Sequence, residues 1–289
     1  MANIRDLRQR IRSVGNIQKI TRAMEMVATT KLRRFQGRAL AAKPYSERLE
    51  ELVRALGGAV AGNPDAAGDS APLFRMGPTD APYGVLLISS DRGLCGAYNA
   101  NAFRLLEEEY RKHEGKIRLY VIGRKGVAYA NRRKLPVAAY FEDLNPERME
   151  FGTAAAVSAV MVKDFHAGKL SGLSILSTRF QSMVKYVAQS SPFLPIAPAE
   201  AEVQACEPLL EPSGPALISR LIPRYLETRV YHAILESVAS EYASRRFAMK
   251  NATEAANDMK RALTRAYNRA RQARITTEIL EIVSGAEAL

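Results

Sequence analysis

The sequence predicts a mixed fold: an α/β domain plus a long antiparallel coiled coil, in which helices from the two chain ends form a shaft. Three observations predict this fold class. Apolar residues recur every 3.5 positions along the C-terminal segment and, less regularly, along the N-terminal one. The residues between these segments alternate between strand and helix patterns. The excess of positive charge falls on the two terminal segments alone.

The C-terminal repeat begins at Tyr231 and advances by alternating steps of four and three residues. It reaches Leu235, Val238, Tyr242, Arg245, Met249, Ala252, Ala256, Met259, Leu263, Ala266, Ala270, Ala273, Thr277 and Leu280. Such a repeat is the signature of a left-handed coiled coil. With no proline or glycine between Arg224 and Ser284, one long helix is expected. It is predicted to start near Pro215, to kink or restart at Pro223 and to stop at Gly285.

The N-terminal segment carries the candidate partner helix, with a less even repeat. The predicted stripe comprises Ile4, Leu7, Ile11 and Val14, then Ile17, Ile20, Met24 and Val27 after a slip near Gly15, then Ala28, Leu32, Phe35 and Ala39 one place round. Lys43-Pro44-Tyr45 is predicted to bend this helix. Because the two helices come from opposite ends of one chain, an antiparallel pair within the chain is the economical arrangement.

The middle of the chain predicts a Rossmann-like α/β domain. Expected strands are 83–90, 116–122, 137–141, 173–180 and 183–189, and expected helices are 97–113, 124–133 and 152–167. Residues 57–82, rich in glycine, alanine and proline, predict a flexible connector. The predicted division is therefore a shaft helix at 1–56, a linker at 57–82, an α/β domain with a proline-rich exit at 83–214 and a second shaft helix at 215–289.

Charge and composition narrow the class of protein. The net charge is +12; residues 1–56 carry 13 Lys/Arg against 5 Asp/Glu, residues 215–289 carry 12 against 8, and the middle is neutral. A basic helical pair fits either an acidic protein partner or nucleic acid phosphates, and both interpretations stay open on pattern alone. The two cysteines, Cys95 and Cys206, are far apart and predict neither a disulfide nor a zinc site. No membrane span and no signal peptide are expected.

One turn in the α/β domain is a candidate ligand-binding or catalytic site. Ser89 to Gly96 follows a predicted strand, at the end where such folds commonly bind ligands. Cys95 could be a nucleophile, or Gly93 and Gly96 an anion cradle; the alternative is a tight turn that needs glycine. The three histidines, His113, His166 and His232, fall on three different predicted helices, which favours the tight turn. No phosphate-binding loop and no metal-ligand spacing occur in the sequence, and no cofactor is expected.

Three long motifs carry a resemblance to a known family. They are residues 11–28 (IRSVGNIQKITRAMEMVA), residues 90–99 (SDRGLCGAYN), and the C-terminal runs 248–253, 267–276 and 278–286. The chain resembles the gamma subunits of F-type ATP synthases, and the resemblance covers essentially its whole length. It implies a non-catalytic central-stalk rotor, whose turning couples proton flow through the membrane ring to ATP synthesis or hydrolysis in partner subunits.

The resemblance also implies partners and contact residues. The implied partners are the alpha and beta subunits of the head, the epsilon subunit and the ring of c subunits, with no nucleic acid. Arg271 and Gln272 would contact a loop of a catalytic subunit, while Lys19, Arg22 and Met24 would face its moving acidic lever. The implied location is peripheral, on the cytoplasmic side of a bacterial plasma membrane. The sequence departs from the family pattern at Ile17, commonly Thr, at Arg22 and Glu25, commonly two lysines, and at Cys206, often Tyr.

Overall fold

The computed structural model describes residues 4–62, 64–142, 150–182, 185–196 and 214–287. Its helices are α1 (Ile4–Gly62), α2 (Tyr98–Lys112), α3 (Arg124–Arg133), α4 (Phe151–His166) and α5 (Gly214–Glu287), with a 3-10 segment at Pro64–Phe74. Its strands are β1 (Tyr83–Ile88), β2 (Ile117–Ile122), β3 (Val137–Phe141), β4 (Leu173–Phe180) and β5 (Tyr186–Leu194). The chain forms two compact units. Unit 1 is Met1–Thr29 with Arg245–Leu289, and unit 2 is Thr30–Ser244.

Unit 2 is built on a five-stranded sheet in the order β3-β2-β1-β4-β5. The first four strands are parallel and β5 returns antiparallel to β4. The central strand β1 carries the unbroken apolar run Val85 to Ile88 because helices cover both faces of a parallel sheet, and Val85 to Leu87 are completely buried. Leu106 of α2 and Ala130 of α3 pack on one face of this core. The predicted Rossmann-like domain is confirmed.

Helix α5 passes through unit 2 as a core element. Its residues 237–244 are buried without interruption, so this part of the predicted coiled-coil repeat is packed on every side. Two serines connect it to β4: Ser237 Oγ accepts a hydrogen bond from Thr178 N at 3.1 Å, and Ser240 Oγ donates one to Thr178 O at 3.1 Å. Pairing between β4 and β1 ends at Leu176, so the two serines bind backbone groups that lie past the end of that ladder.

Several predicted boundaries differ from the observed ones. Helix α1 runs through Pro44 to Gly62, and the 3-10 segment occupies much of the predicted linker. Helix α5 continues through Pro223, and the predicted stop at Gly285 is wrong because the helix ends at Glu287. Pro223 removes one helical hydrogen bond, and the burial of its neighbours Ile222 and Leu226 offsets that loss.

The return strand also lies later than predicted, at Tyr186–Leu194, with Pro192 on the outermost strand, where a missing backbone N–H is tolerated. Most of the proline-rich exit and Cys206 lie outside the described residues. The four-segment division itself stays a prediction. None of the helices in the described ranges is long and apolar enough to cross a membrane.

Candidate partner interface

Unit 1 is an antiparallel helical pair formed by the two chain ends. The Oγ1 atoms of Thr21 on α1 and Thr253 on α5 lie 2.8 Å apart. Counting 17 residues from this contact leads back to Ile4, where α1 begins, and forward to Ala270. Ala270 is also the last residue of α5 whose described side chain is not exposed. Burial on α5 therefore ends where an antiparallel partner would run out, as the predicted shaft requires.

The inward seam of α1 is continuous, and the slip predicted near Gly15 is wrong. Side chains at least half-buried recur in alternating steps of three and four residues: Ile4, Leu7, Ile11, Val14, Gln18, Thr21, Glu25 and Ala28. The sequence-based prediction followed apolarity, whereas the observed seam passes through three polar residues. Ile17, Ile20 and Val27, placed in the seam by prediction, are 52%, 59% and 55% exposed. The same register continues into unit 2, where Leu32 and Phe35 are buried as predicted.

The three apolar residues displaced from the predicted seam, together with Met26, are exposed on α1. We call Ile17, Ile20, Met26 and Val27 the outer stripe; Met26 is 60% exposed. Lys19 and Arg22, two of the predicted partner-binding residues, are exposed on the same turns, and Met24 is half-buried. An apolar surface edged by cations is typical of a protein contact site. The structure thus brings three predicted site residues together on one short stretch of α1.

The far end of α5 is the second exposed surface. We call residues 271–287 the C-terminal tip; every described side chain in it is exposed. It carries Ile275, Ile279, Leu280, Ile282 and Val283, and it has no Lys or Arg after Arg274. Arg274 Nε donates to Glu278 Oε1 at 2.7 Å, one turn further along the helix. The predicted partner residues Arg271 and Gln272 lie at the base of this tip.

Four predicted seam positions of α5 are not in a seam. Met259 is 57% exposed although it lies within the paired stretch, and Ala273, Thr277 and Leu280 are exposed in the tip. The repeat continues past the point where α1 supplies a partner, so it overestimated the paired length. An exposed apolar repeat beyond the pair is expected where another protein supplies the missing surface.

The Ser89–Gly96 turn is held by a dense set of internal hydrogen bonds. Asn99 Nδ2 donates to Ser90 Oγ at 2.7 Å and to Cys95 Sγ at 3.2 Å, and Asn99 Oδ1 accepts from Ser90 N at 3.1 Å. Asp91 Oδ1 accepts from Arg124 N at 3.0 Å at the start of α3. Leu94 and Gly96 adopt φ values of 63° and 57°, a conformation that glycine adopts readily.

These contacts favour the tight-turn interpretation over a nucleophile. Cys95 is only 3% exposed, and its backbone oxygen accepts a hydrogen bond of 2.6 Å from Ser244 Oγ of α5. His113 is the C-cap of α2, one residue past its end, whereas His166 ends α4 and His232 lies on α5; the three belong to different helices, as predicted. Within the described residues no three His, Cys, Asp or Glu side chains are placed to hold a metal ion.

Sequence reasoning missed the polar contacts that join elements. Ser237, Ser240 and Ser244 lie at spacings of three and four, which places them on one face of α5. A row of small hydroxyl side chains on one face of a long helix is a signal of close packing on a backbone. Thr21 and Thr253 carried no such signal, because each is a single hydroxyl 232 residues from the other in sequence.

Comparison with known proteins gives one consistent family. A family model described as ATP synthase matches residues 3–289. The ATP synthase gamma chain of Moorella thermoacetica is 42% identical over 291 residues and covers all of both chains. The ATP synthase gamma chain of Mycobacterium marinum is 42% identical over 306 residues, covering all of this chain and 98% of the relative.

Solved structures share the fold. A chain of the Euglena gracilis mitochondrial ATP synthase, in a structure of its OSCP, F1 and c-ring, aligns with a TM-score of 0.68 at 19% identity, covering 99% of this chain and 94% of that one. A chain of the Tetrahymena thermophila central stalk and c-ring aligns with a TM-score of 0.56 at 24% identity, covering 81% and 99%.

Proposed function

This chain belongs to the ATP synthase gamma-chain family, and we propose that it is the central-stalk rotor of an F-type ATP synthase. In this role the chain turns with the membrane ring and couples proton flow to ATP synthesis or hydrolysis in its partners. It carries torque and does no bond chemistry itself. Coupling of this kind needs contacts that differ between the conformations of each catalytic subunit.

The observation that carries the proposal is the C-terminal tip. A helix that continues for more than four turns beyond its partner, with five exposed large aliphatic side chains, is costly to leave in water. Burying each such side chain in a partner would contribute roughly 1.5–3 kcal/mol. A ring of head subunits around the tip supplies that surface, and the absence of Lys and Arg after Arg274 suits an apolar sleeve.

The outer stripe and its cations provide a second contact. Lys19, Arg22 and Met24 are proposed to face the acidic lever of the beta subunit, and Arg271 with Gln272 to contact a loop of the same subunit. A basic rotor that passes acidic surfaces avoids like-charge contacts, which cost several kcal/mol. Glu25, a departure from the family pattern, is half-buried in the seam, so its charge lies away from the outer stripe.

The remaining partners and the location follow from the same role. We place the alpha and beta subunits around the helical pair, and the epsilon subunit and the c ring at unit 2. The chain is then a peripheral component on the cytoplasmic side of the plasma membrane. The nucleic-acid alternative receives no support from the comparisons, since the relatives reported above are ATP synthase gamma chains.

The test compares a double substitution with a matched control in the assembled complex. R271A/Q272A removes both side chains at the base of the tip, and R265A removes an exposed arginine of α5 within the paired stretch. We expect the double variant to lower ATP synthesis driven by a proton gradient about tenfold, since losing hydrogen bonds to a charged group changes an equilibrium by that order. R265A is expected to match the wild type.

Two outcomes would contradict the proposal. Unchanged ATP synthesis in R271A/Q272A would remove these two residues from the contact. Failure of the tagged chain to co-purify with two related nucleotide-binding subunits from solubilised membranes would remove the rotor function itself.

A further inference from the structure

The seam of the helical pair in unit 1 has little side-chain volume at its centre. Around Thr21 the inward residues of α1 are Gln18 and Glu25; on α5 the inward residues near Thr253 are Ala252 and Ala256, and buried Met249 is the one large apolar side chain among them. In an ordinary coiled coil, large apolar side chains interlock and set the register of the two helices. Small and polar residues interlock weakly, so packing alone discriminates poorly between this register and one shifted by a turn.

A hydrogen bond between the helices lies at the centre of this weak seam. Thr21 and Thr253 place their Oγ1 atoms 2.8 Å apart, and both side chains are partly buried. Each hydroxyl also reaches a carbonyl of its own helix: Thr253 that of Met249 at 2.8 Å and Thr21 that of Gln18 at 3.1 Å. The two hydroxyls have only two hydrogens for these three contacts. Either threonine can therefore donate to the other threonine, while the second one donates to the carbonyl of its own helix.

This contact is specific to one register. A hydrogen bond between two hydroxyls requires their oxygens to lie about 2.5–3.0 Å apart. A slide of one helical turn moves a side chain about 5.4 Å along the axis and abolishes the contact. A single polar pair within a seam is a well-attested device for fixing the register of paired helices.

We propose that Thr21 and Thr253 are positioning residues that lock the register of the two helices, so that force applied to one is transmitted to the other. The inference rests on the proposed rotor function. The side chains assigned there to partner contact are on α1 at Lys19 and Arg22, and on α5 at Arg271, beyond the end of α1. Within unit 1, this seam is the direct route by which force that enters at the tip reaches the α1 contacts.

The test uses the intact complex with isosteric substitutions. T21V/T253V replaces both hydroxyls by methyl groups of the same shape, an exchange that is nearly neutral for folding because no buried partner is left unpaired. T21S/T253S keeps both hydroxyls and is the rescue variant. T264V is the matched control, since Thr264 is exposed on α5 and its hydroxyl donates to its own helix at Lys260 O.

The decisive measurement is the number of protons pumped per ATP hydrolysed in inverted membrane vesicles. In T21V/T253V we expect this ratio to fall about twofold or more, because losing one hydrogen bond shifts a population ratio roughly two- to tenfold. The rate of ATP hydrolysis and the melting temperature of the isolated chain should stay near wild type. T21S/T253S and T264V should both pump with the wild-type ratio.

The outcomes separate this inference from the proposed function. Wild-type coupling in T21V/T253V, with R271A/Q272A defective, would overturn the register lock and leave the rotor intact. A similar loss in T264V would overturn it too, since any threonine change would then suffice. A chain that never enters the complex would overturn the proposed function first.

Discussion

Asn99 is the residue on which the Ser89–Gly96 turn depends most. Its side chain bonds three groups of that turn: the backbone nitrogen of Ser90, the hydroxyl of Ser90 and the thiol of Cys95. Within the same turn, the backbone oxygen of Cys95 accepts a hydrogen bond from the hydroxyl of Ser244 on α5. One amide therefore supports the local conformation and, through it, the packing of the long helix.

Asn99→Ala is expected to lower the free energy of unfolding by about 1–3 kcal/mol, because it leaves a buried amide of Ser90 without its acceptor. Leu94→Asn is the control in the same turn. Leu94 is exposed with φ 63°, a conformation asparagine tolerates better, so this change should be neutral or slightly stabilising. Denaturant unfolding of the isolated chain measures the stability of both variants. If Asn99→Ala unfolded with the same free energy as the wild type, the Asn99 contacts would not stabilise the fold.

The surroundings of His113 in unit 2 lower the pKa of its imidazole. Its ring stacks on Tyr83 with centroids 3.8 Å apart, and its Nε2 lies 3.4 Å from the buried carboxylate of Glu109. Burial lowers the pKa of His113, Lys112 lowers it further, and the charge of Glu109 opposes both. The native state therefore binds the proton less readily than the unfolded chain does.

Because the pKa of His113 is lower in the folded state, its contribution is present above the unfolded pKa of about 6.5 and is lost as pH falls through the folded value. We expect unfolding free energy to fall between pH 7 and pH 5, and to fall less in His113→Phe, which keeps an aromatic ring against Tyr83. An unchanged slope in His113→Phe would assign the acid sensitivity elsewhere.

At the scale of elements, side chains of α5 form hydrogen bonds with backbone groups of strand β4 in unit 2. Ser237 and Ser240 satisfy the amide and carbonyl of Thr178, beyond the point where β1 stops pairing with β4. We expect S237A/S240A to lower the free energy of unfolding by about 2–5 kcal/mol, since two buried backbone groups lose their partners. Ser284→Ala, in the exposed tip, is the control and should change nothing; thermal melts compare them.

An element could be predicted from the sequence where its pattern of apolar residues matches its pattern of burial. Strand β1 was found because both of its faces are buried and its residues Val85 to Ile88 are continuously apolar. The seam of α1 was misplaced because Ile17 and Ile20, the obvious core candidates, point outward. Apolarity marks residues that avoid water in the final assembly, and here two of them are exposed in the single chain.

For the same reason the candidate site was only partly predictable. Arg271 and Gln272 came from the resemblance, and their position at the base of an unpaired tip became apparent only when the pair was seen to end at Ala270. The Thr21–Thr253 contact could not be predicted, since nothing local connects two single threonines at opposite ends of the chain. Register is a property of the pair and is not encoded in either helix alone.

For the whole molecule, the two chain ends are unequal although they belong to one helical pair. Helix α1 contributes Leu7 and Val14 to the buried seam, whereas the C-terminal tip contributes no buried side chain among its described residues. The beginning of the chain should thus matter for its own folding. The end should matter only in the complex, where a partner covers it.

Truncation after Arg274 tests this inequality. The shortened chain should melt within about 2 °C of the full chain, because it loses no buried contact. It should be incorporated into the complex less stably, since it lacks the exposed aliphatic residues of the tip, from Ile275 to Val283. Deletion of residues 1–10 is the opposite control: it removes Leu7, so the isolated chain should melt at a lower temperature. If instead the C-terminal truncation destabilised the isolated chain as much as the N-terminal one, the tip would have to pack within the chain, and its assignment as a surface for partners would be wrong.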